Sequence, residues 1–472
     1  MRLKNLSPLF FLIFLALGLQ YCANNNSADT AQTEAQETPE AEIAQQEVIP
    51  PLENIDMPFQ KFSVSPAEGT TLKMDNGSSI EIPADAFVNE AGEPVNEPVE
   101  LQYREFHNAA EIVASGIPMS VMQEDGSEAW MQTAGMFEIK AYADNQEVQL
   151  ANNKAITVNM ASSEAGEYNF WYFDPAAGNW DVKGNSTPVA NEQRTETEQQ
   201  YAQLAAQASQ APIPPVGYDA NKVALNFNIN YSKFPEIRDL KGIVWQYAGK
   251  DKEAAPKNNS WIFEESWDDI SLEEGDKAGQ YELKLASSHE SYAIPVFASQ
   301  TGADLERAQA NYQLKMQEYQ ELKQLLADTE AMREQQLEFT RSFSLNNFGI
   351  YNYDILLKRD NDVKLLADFD FGDMPLAMKK LITVYLITGD SRSVVYLPYS
   401  RWDRFAFNPD LDNKIMAILP GNKIATFSQE DFEAQKEAMY EAQGGKFLFK
   451  MRVDEKPVKN LADVEQKMMV AG

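Results

Sequence analysis

Short stretches of alternating apolar and polar residues recur along the chain and predict β-strands. Within residues 58–183 the runs Ser79 to Ile82, Val99 to Tyr103, Met136 to Ala141 and Ile156 to Met160 alternate. Tyr168 to Phe173 is an aromatic run that predicts a further strand, followed by a turn at Asp174 to Gly178 and by Trp180. Asn76-Gly77 is a hairpin signal, because both residues tolerate positive φ. Strands at this spacing predict a β-sandwich over 58–183. The alternation resumes in a second region. Val223 to Tyr231 alternates over nine residues, and Gly242 to Tyr247, Tyr281 to Leu285 and Ser291 to Phe297 follow. Pro295 in the last run cannot donate to a ladder, so that strand is expected at a sheet edge.

The period then changes. From Ala303 to Phe339 there is no Gly or Pro, and Leu305, Ala308, Tyr312, Met316, Tyr319, Leu322 and Leu326 recur at spacings of three and four. This predicts one long amphipathic helix, reaching roughly 50 Å over its length. Its spacing slips from a strict heptad, which favours packing along its own domain. The other reading is a coiled-coil arm that self-associates through 303–339. Glu192 to Gln210 is rich in Ala, Gln and Glu and predicts a solvated helix ended by Pro212, Pro214 and Pro215. Past the long helix, strands are expected at Val363 to Phe369, Ile382 to Ile387, Ser393 to Leu397, Lys414 to Leu419, Lys423 to Phe427 and Lys446 to Val453. Ser428 reads as the N-cap of a helix expected over Gln429 to Ala442 and closed by Gly444, and Asn460 to Met468 predicts a short terminal helix. The expected fold is mainly β: an N-terminal β-sandwich, then a second β-rich region interrupted by a long α-helix, with short C-terminal helices. The expected divisions are a sandwich at 58–183, a connector at 184–217, a β-rich domain at 218–300, the helix at 301–342 and a β-rich C-terminal region at 343–472.

The first 57 residues fit no packed element. Arg2 and Lys4 precede an apolar run from Leu9 to Leu19, about half of the roughly 20 residues that cross a bilayer. The only cysteine, Cys22, follows at once. Residues 1–21 therefore read as a signal peptide, and Leu19-Gln20-Tyr21-Cys22 resembles a loose bacterial lipobox, although Tyr21 departs from its usual small residue. The expectation is an acylated Cys22 as lipid attachment site, with the buried methylenes of its chains holding the protein to a membrane. With Cys22 modified, no thiol is left for a disulfide or for thiol chemistry. Ala23 to Met57 holds eight acids and no Lys or Arg. Too little of it is apolar to offset the entropy of ordering, so 22–57 reads as an acidic disordered tether. Thr30, in Asp29-Thr30-Ala31, resembles a three-residue glycosylation site used by some envelope bacteria.

Charge and composition narrow the function. The chain carries 72 acids against 40 bases, a net charge of −32. Such a surface repels nucleic acid and anionic headgroups, so nucleic-acid binding is not expected. There are two histidines, His107 and His289, in different folded regions. They are too few for a histidine-based zinc site, and neither sits beside a nucleophile motif. His107 follows a strand and is expected as a solvated ring. No cofactor is expected, and the protein is not expected to be an enzyme.

Three weaker constellations remain. Asp368, Asp370 and Asp373 could hold Ca²⁺ together with carbonyls, but their spacing is not that of an EF-hand, and a solvated strand face ending in a turn is the simpler reading. Trp267-Asp268-Asp269 beside Glu264 and Glu265 could line a sugar cleft. Trp171 and Trp180 could stack on carbohydrate if exposed, or form sandwich core.

Ile82-Pro83-Ala84-Asp85-Ala86-Phe87, Gly92-Glu93-Pro94-Val95, Val99-Glu100-Leu101, Gly116-Ile117-Pro118-Met119 and Thr133-Ala134-Gly135-Met136-Phe137 form an ordered series. It resembles the β-sandwich module of ankyrins and netrin receptors, in the form carried by uncharacterised Bacteroidota surface lipoproteins. Phe348-Gly349-Ile350-Tyr351-Asn352 is similar to a segment of the same proteins. The resemblance implies a fold and an interaction role, and it carries no partner-binding motif onto these residues. The expected protein is thus a non-catalytic lipoprotein of the cell envelope, at the outer membrane. It would act through contact with a protein partner or as a structural surface element. The alternative is a carbohydrate-binding or carbohydrate-processing lipoprotein.

Overall fold

A computed structural model describes residues 48–469 except 228, 239, 251–254, 358–360 and 390–391. They belong to one compact unit, Gln45–Gly472. Cys22, Thr30, the leader and residues 23–47 of the expected tether lie outside the described residues; residues 48–57, expected as its disordered end, pack instead, with Leu52 and Ile55 buried in the core. The fold is mainly β, as the alternating pattern implies.

The sandwich is built from two antiparallel sheets. One runs Gln60–Val64, Val99–Phe106, Glu128–Ala143, Gly349–Leu356, Tyr168–Asp174, Asn179–Ser186. The other runs Val189–Ala190, Phe339–Leu345, Ile156–Ser162, Ser79–Ile82, Thr70–Lys73. Period-2 alternation puts Val99, Leu101 and Tyr103 inward, where they meet Ile80, Val158 and Phe170. The first sheet is buried on its other face as well. There Trp171, Phe173 and Trp180 pack against the helix Ala109–Ser115 and a C-terminal sheet. This double burial explains why Tyr168 to Phe173 is aromatic on both faces of the strand. It also places Trp171 and Trp180 in the core, each indole N–H donating to a carbonyl, of Asp354 (3.2 Å) and Pro118 (2.8 Å).

The long helix does interrupt the β pattern, and the strands after it rejoin the first sandwich. Phe339–Leu345 pairs with Ile156–Ser162, and Gly349–Leu356 lies between Glu128–Ala143 and Tyr168–Asp174. In space the sandwich of 58–183 therefore also holds 339–356, and the expected boundary at 343 falls inside a strand. Everything from Asn191 to Glu338 is an insertion whose ends meet: the Asn191 N–H donates to the Glu338 carbonyl at 2.9 Å.

Within the insertion, helix Glu192–Gln207 packs on helix Gly302–Gln335. The expected stripe is the covered one. Ala308 is buried, and Leu305, Tyr312, Met316, Tyr319, Leu322 and Leu326 are half-buried. Between the helices stands a small β unit with its own core of Trp245, Tyr281, Leu283, Leu285, Ile294 and Val296 among others. Its sheet order is Ala224–Leu225, Val244–Tyr247, Ser291–Gln300, Gln280–Ala286, Asp269–Glu274. Two expectations fail here. The strand with Pro295 is central, because its neighbour Val244–Tyr247 ends beside the proline and only one ladder bond is forgone; the Pro295 carbonyl still accepts from the Ala248 N–H at 2.8 Å. Of the described residues between Val223 and Tyr231, only Ala224 and Leu225 pair as a strand. Phe227, Ile229 and Tyr231 pack on the core without a ladder, Phe227 against Trp245 at 5.1 Å.

The C-terminal region forms a second two-sheet layer. Ser393–Pro398, Thr383–Thr388, Asn413–Leu419, Lys423–Phe427 and Arg452–Asp454 make one sheet, and Phe405–Phe407, Val363–Asp370 and Lys446–Lys450 the other. Val384, Leu386, Ile415 and Phe427 meet Leu365, Phe369, Phe405 and Phe449 between them. Alternate residues Tyr385, Ile387, Met416 and Ile424 face the first sandwich instead. Ser428 caps its helix through a capping box with Asp431, and the helix breaks at Gln435 into Gln429–Ala434 and Lys436–Glu441.

Candidate functional site

A buried titratable cluster lies where the insertion joins the sandwich. Tyr103 and Glu105 point inward from the strand Val99–Phe106, and His107 follows it. The Tyr103 hydroxyl donates to Glu105 Oε1 at 2.6 Å, Asn76 Nδ2 donates to Oε2 at 2.6 Å, and His107 Nε2 lies 2.6 Å from Oε2. Burial works against both charges, but the pairing outweighs it. His107 is raised above the ordinary imidazole range by the Glu105 carboxylate, and Glu105 is held below the usual carboxylate range by His107, Ser78 and Tyr103. Burial, with Glu105 adding to it, pushes the Tyr103 phenol well up. His107 is thus an ion-paired ring with 27% of its side chain exposed, rather than the solvated one expected, because its strand ends beside a buried acid. His289 stands exposed in the hairpin between Ala286 and Ser291, in the insertion.

Around this cluster the chemistry is that of a joint. Asn76 also offers its carbonyl to the Leu337 N–H at 3.0 Å, and Gln193 Nε2 donates to the Gly77 carbonyl at 3.0 Å. Arg194 donates to the Gln336 carbonyl at 2.5 Å. Arg341, just past the insertion, is fully buried. It donates to the carbonyls of Glu164 (2.6 Å), Gly166 (2.7 Å) and Ser186 (3.2 Å) and lies 4.6 Å over the Tyr168 ring. A guanidinium bonded to main-chain oxygens of several segments clamps those segments together. Sequence reasoning passed over Glu105, Arg341 and Asp354. Asp354 is fully buried, its carboxyl raised well above the usual range by burial despite a hydrogen bond from Asn352 (2.9 Å). Charged residues inside an alternating strand were the available signal.

Each expected site residue has a definite place. Asp368 and Asp370 share the outer face of Val363–Asp370, with Phe369 and Phe371 buried. Asp368 accepts from Lys379 Nζ at 3.1 Å, and Asp370 accepts from the Gly372 N–H at 2.9 Å. Among the described residues no group of three or more His, Cys, Asp or Glu gathers as metal ligands, Asp373 included. Glu264, Glu265, Asp268 and Asp269 are exposed around Trp267 at one end of the insertion's β unit. An open cleft is lined by two acids, Glu138 and Glu147, together with Tyr172 and Phe348. Its buried acid, Glu138, is held by Arg104 and Lys140, both at 2.6 Å. A cavity of about 300 Å³ lies under the long helix, lined by Glu236, Tyr281, Ala298, Tyr312 and Lys315. Tyr281 donates there to Glu236 at 2.8 Å.

No protein-family model, no curated protein and no solved structure matches the chain. No helix of the described residues is long and apolar enough to cross a membrane, which leaves β-barrel spans unaddressed.

Proposed function

We propose that the chain is a non-catalytic, lipid-anchored protein of the cell envelope, of the Bacteroidota surface type that its sandwich motifs resemble. It is held at Cys22 to the outer membrane and acts by protein–protein contact or as a structural surface element. The observation that carries this reading is the position of the sole cysteine of 472 residues, three residues beyond the apolar run that ends at Leu19. The stretch from residue 23 to residue 44, with five acids and no Lys or Arg, fits a spacer between an anchor and the compact unit Gln45–Gly472.

The rest of the molecule supports contact over chemistry. Its histidine–carboxylate pair is committed to the joint between sandwich and insertion. Glu138, the buried acid of the Tyr172 cleft, is neutralised by two cations, which speaks against its use as the acid or base of a glycosidase. The insertion itself, a helix pair bearing a separately cored β unit, is an element the sandwich does not need for its own core. Proximity crosslinking on intact cells tests the reading. Enrichment of a specific protein partner is expected. Glycan depolymerisation by the purified chain, with no specific crosslink, contradicts it.

A further inference from the structure

We propose that the end of the insertion's β unit that lies away from the long helix is a docking surface for a basic, arginine- or lysine-bearing segment of a protein partner. This rests on the protein-contact reading above and names the partner's chemistry.

The two ends of the unit differ. The strand register joins Asp269 to Ala286 and Ala286 to Ser291 at one end, while Tyr281 and Ala298, toward the other, line the cavity against Ala308 and Tyr312 of the long helix. The end away from the helix is capped by the turn Ser260–Phe263. It carries large apolar groups in the open: Phe263 is 59% exposed, Trp261 40% and Ile270 38%. Trp261 sits 6.2 Å from Trp267 and 5.6 Å from Tyr292, so the exposed indole is braced by two further rings. Exposed rings held in place in this way are the side chains that dominate protein interfaces, since they bury large area at little entropic cost.

Charge selects the occupant. From Asn258 to Asp269 the sequence holds four acids and no Lys or Arg, and all four, Glu264, Glu265, Asp268 and Asp269, are exposed beside the rings. Lys284 is already bonded to Glu273 at 2.5 Å, Lys257 lies in the preceding turn, and Lys277 lies in the turn at the unit's other end. A cation placed here meets indole faces and carboxylates together, and each attracts it. An anionic glycan, a nucleic acid or an acidic peptide would be repelled. A neutral sugar would stack on the rings but would leave the carboxylates unused. A basic segment uses both, and the acids also speed its encounter.

The test uses residues 45–472, which form one compact unit, and a fluorescein-labelled deca-arginine peptide read by anisotropy at roughly 0.15 M salt. Saturable binding is expected. It should weaken about tenfold or more in Trp261→Ser/Phe263→Ser, which keeps every acid in place, and likewise in Glu264→Gln/Glu265→Gln/Asp268→Asn/Asp269→Asn. Phe263→Ser alone, at the more exposed ring, should weaken binding in the same direction with the melting temperature unchanged. Equal affinity in wild type and ring variants would mean general attraction to an acidic protein and would overturn the assignment, as would no saturable binding. Displacement of the peptide by chitohexaose would overturn it in favour of a glycan. On cells, a crosslinked partner that persists unchanged in the ring variants would sink this docking surface and leave the protein-contact reading standing.

Discussion

His107 Nε2 and Glu105 Oε2 lie 2.6 Å apart, the ring partly exposed and the carboxylate buried, at the point where the insertion's base meets the sandwich. The pair makes folding depend on pH in a defined direction. His107 is raised, so its contribution is complete below the ordinary imidazole value of roughly 6.5 and is lost as pH rises through the folded value. Glu105 is lowered, so its contribution is complete above about 4.3 and is lost as pH falls through the folded value. His107→Ala should therefore destabilise by roughly 3 kcal/mol at pH 6 and by less at pH 9, measured by denaturant unfolding. Equal loss at both pH values would contradict the ion pair.

Asp354 acts in the opposite sense. Its carboxyl is pushed up by burial, so the folded chain prefers it neutral, and stability falls as pH rises from about 3.9 toward the folded value. Asp354→Asn keeps the size and can still bond Asn352. It should stabilise the protein at pH 7 by on the order of 1 to 2 kcal/mol and flatten the decline that begins near pH 4. A destabilised variant at pH 7 would show that the carboxylate is compensated there.

Gly77 marks how tightly the insertion is seated. Its φ is +92°, and a Cβ there would come within 2.2 Å of Asn191 Nδ2. Asn191 in turn caps the helix Glu192–Gln207 and donates to the Leu337 carbonyl at 2.9 Å. Gly77→Ala should cost about 2 kcal/mol from backbone strain and this contact together. In a double-mutant cycle with Asn191→Ala, read by denaturant unfolding, the double variant's loss should fall short of the sum of the two single losses, since each disturbs the same joint.

Much of this architecture was legible from the alternation alone. The strands at Ile80, Leu101, Val158 and Phe170, the long helix with its Leu305-to-Leu326 stripe and the Ser428 cap all follow local rules of period and capping. The joining of distant pieces was not. Phe343, Tyr351 and Tyr353 alternate as any strand would, and nothing in their period says that they pair with Val158, Phe137 and Phe170. Pro295 misled for a related reason: an edge was inferred from one missing donor, when the neighbouring strand simply stops there. Glu105, Arg341 and Asp354 were hidden because burial of a charge depends on partners supplied by other strands. Of the candidate sites, the pattern named Trp267 and its acids but could not show which end of the unit they occupy.

The insertion's meeting ends give a further expectation. Replacing residues 192–337 by a short Gly-Ser linker should leave a folded, cooperatively unfolding protein, because Val189–Ala190 and Phe339–Leu345 stay paired across the gap. Loss of cooperative unfolding by calorimetry would show that the helix pair is required for the sandwich.

The lipid anchor is tested most directly by metabolic labelling with a radiolabelled fatty acid, followed by membrane fractionation of wild type and Cys22→Ala. The account predicts label on the wild-type chain in the membrane fraction, and an unlabelled Cys22→Ala chain released from it. An unlabelled wild type, or a Cys22→Ala chain that stays with the membrane, would contradict it.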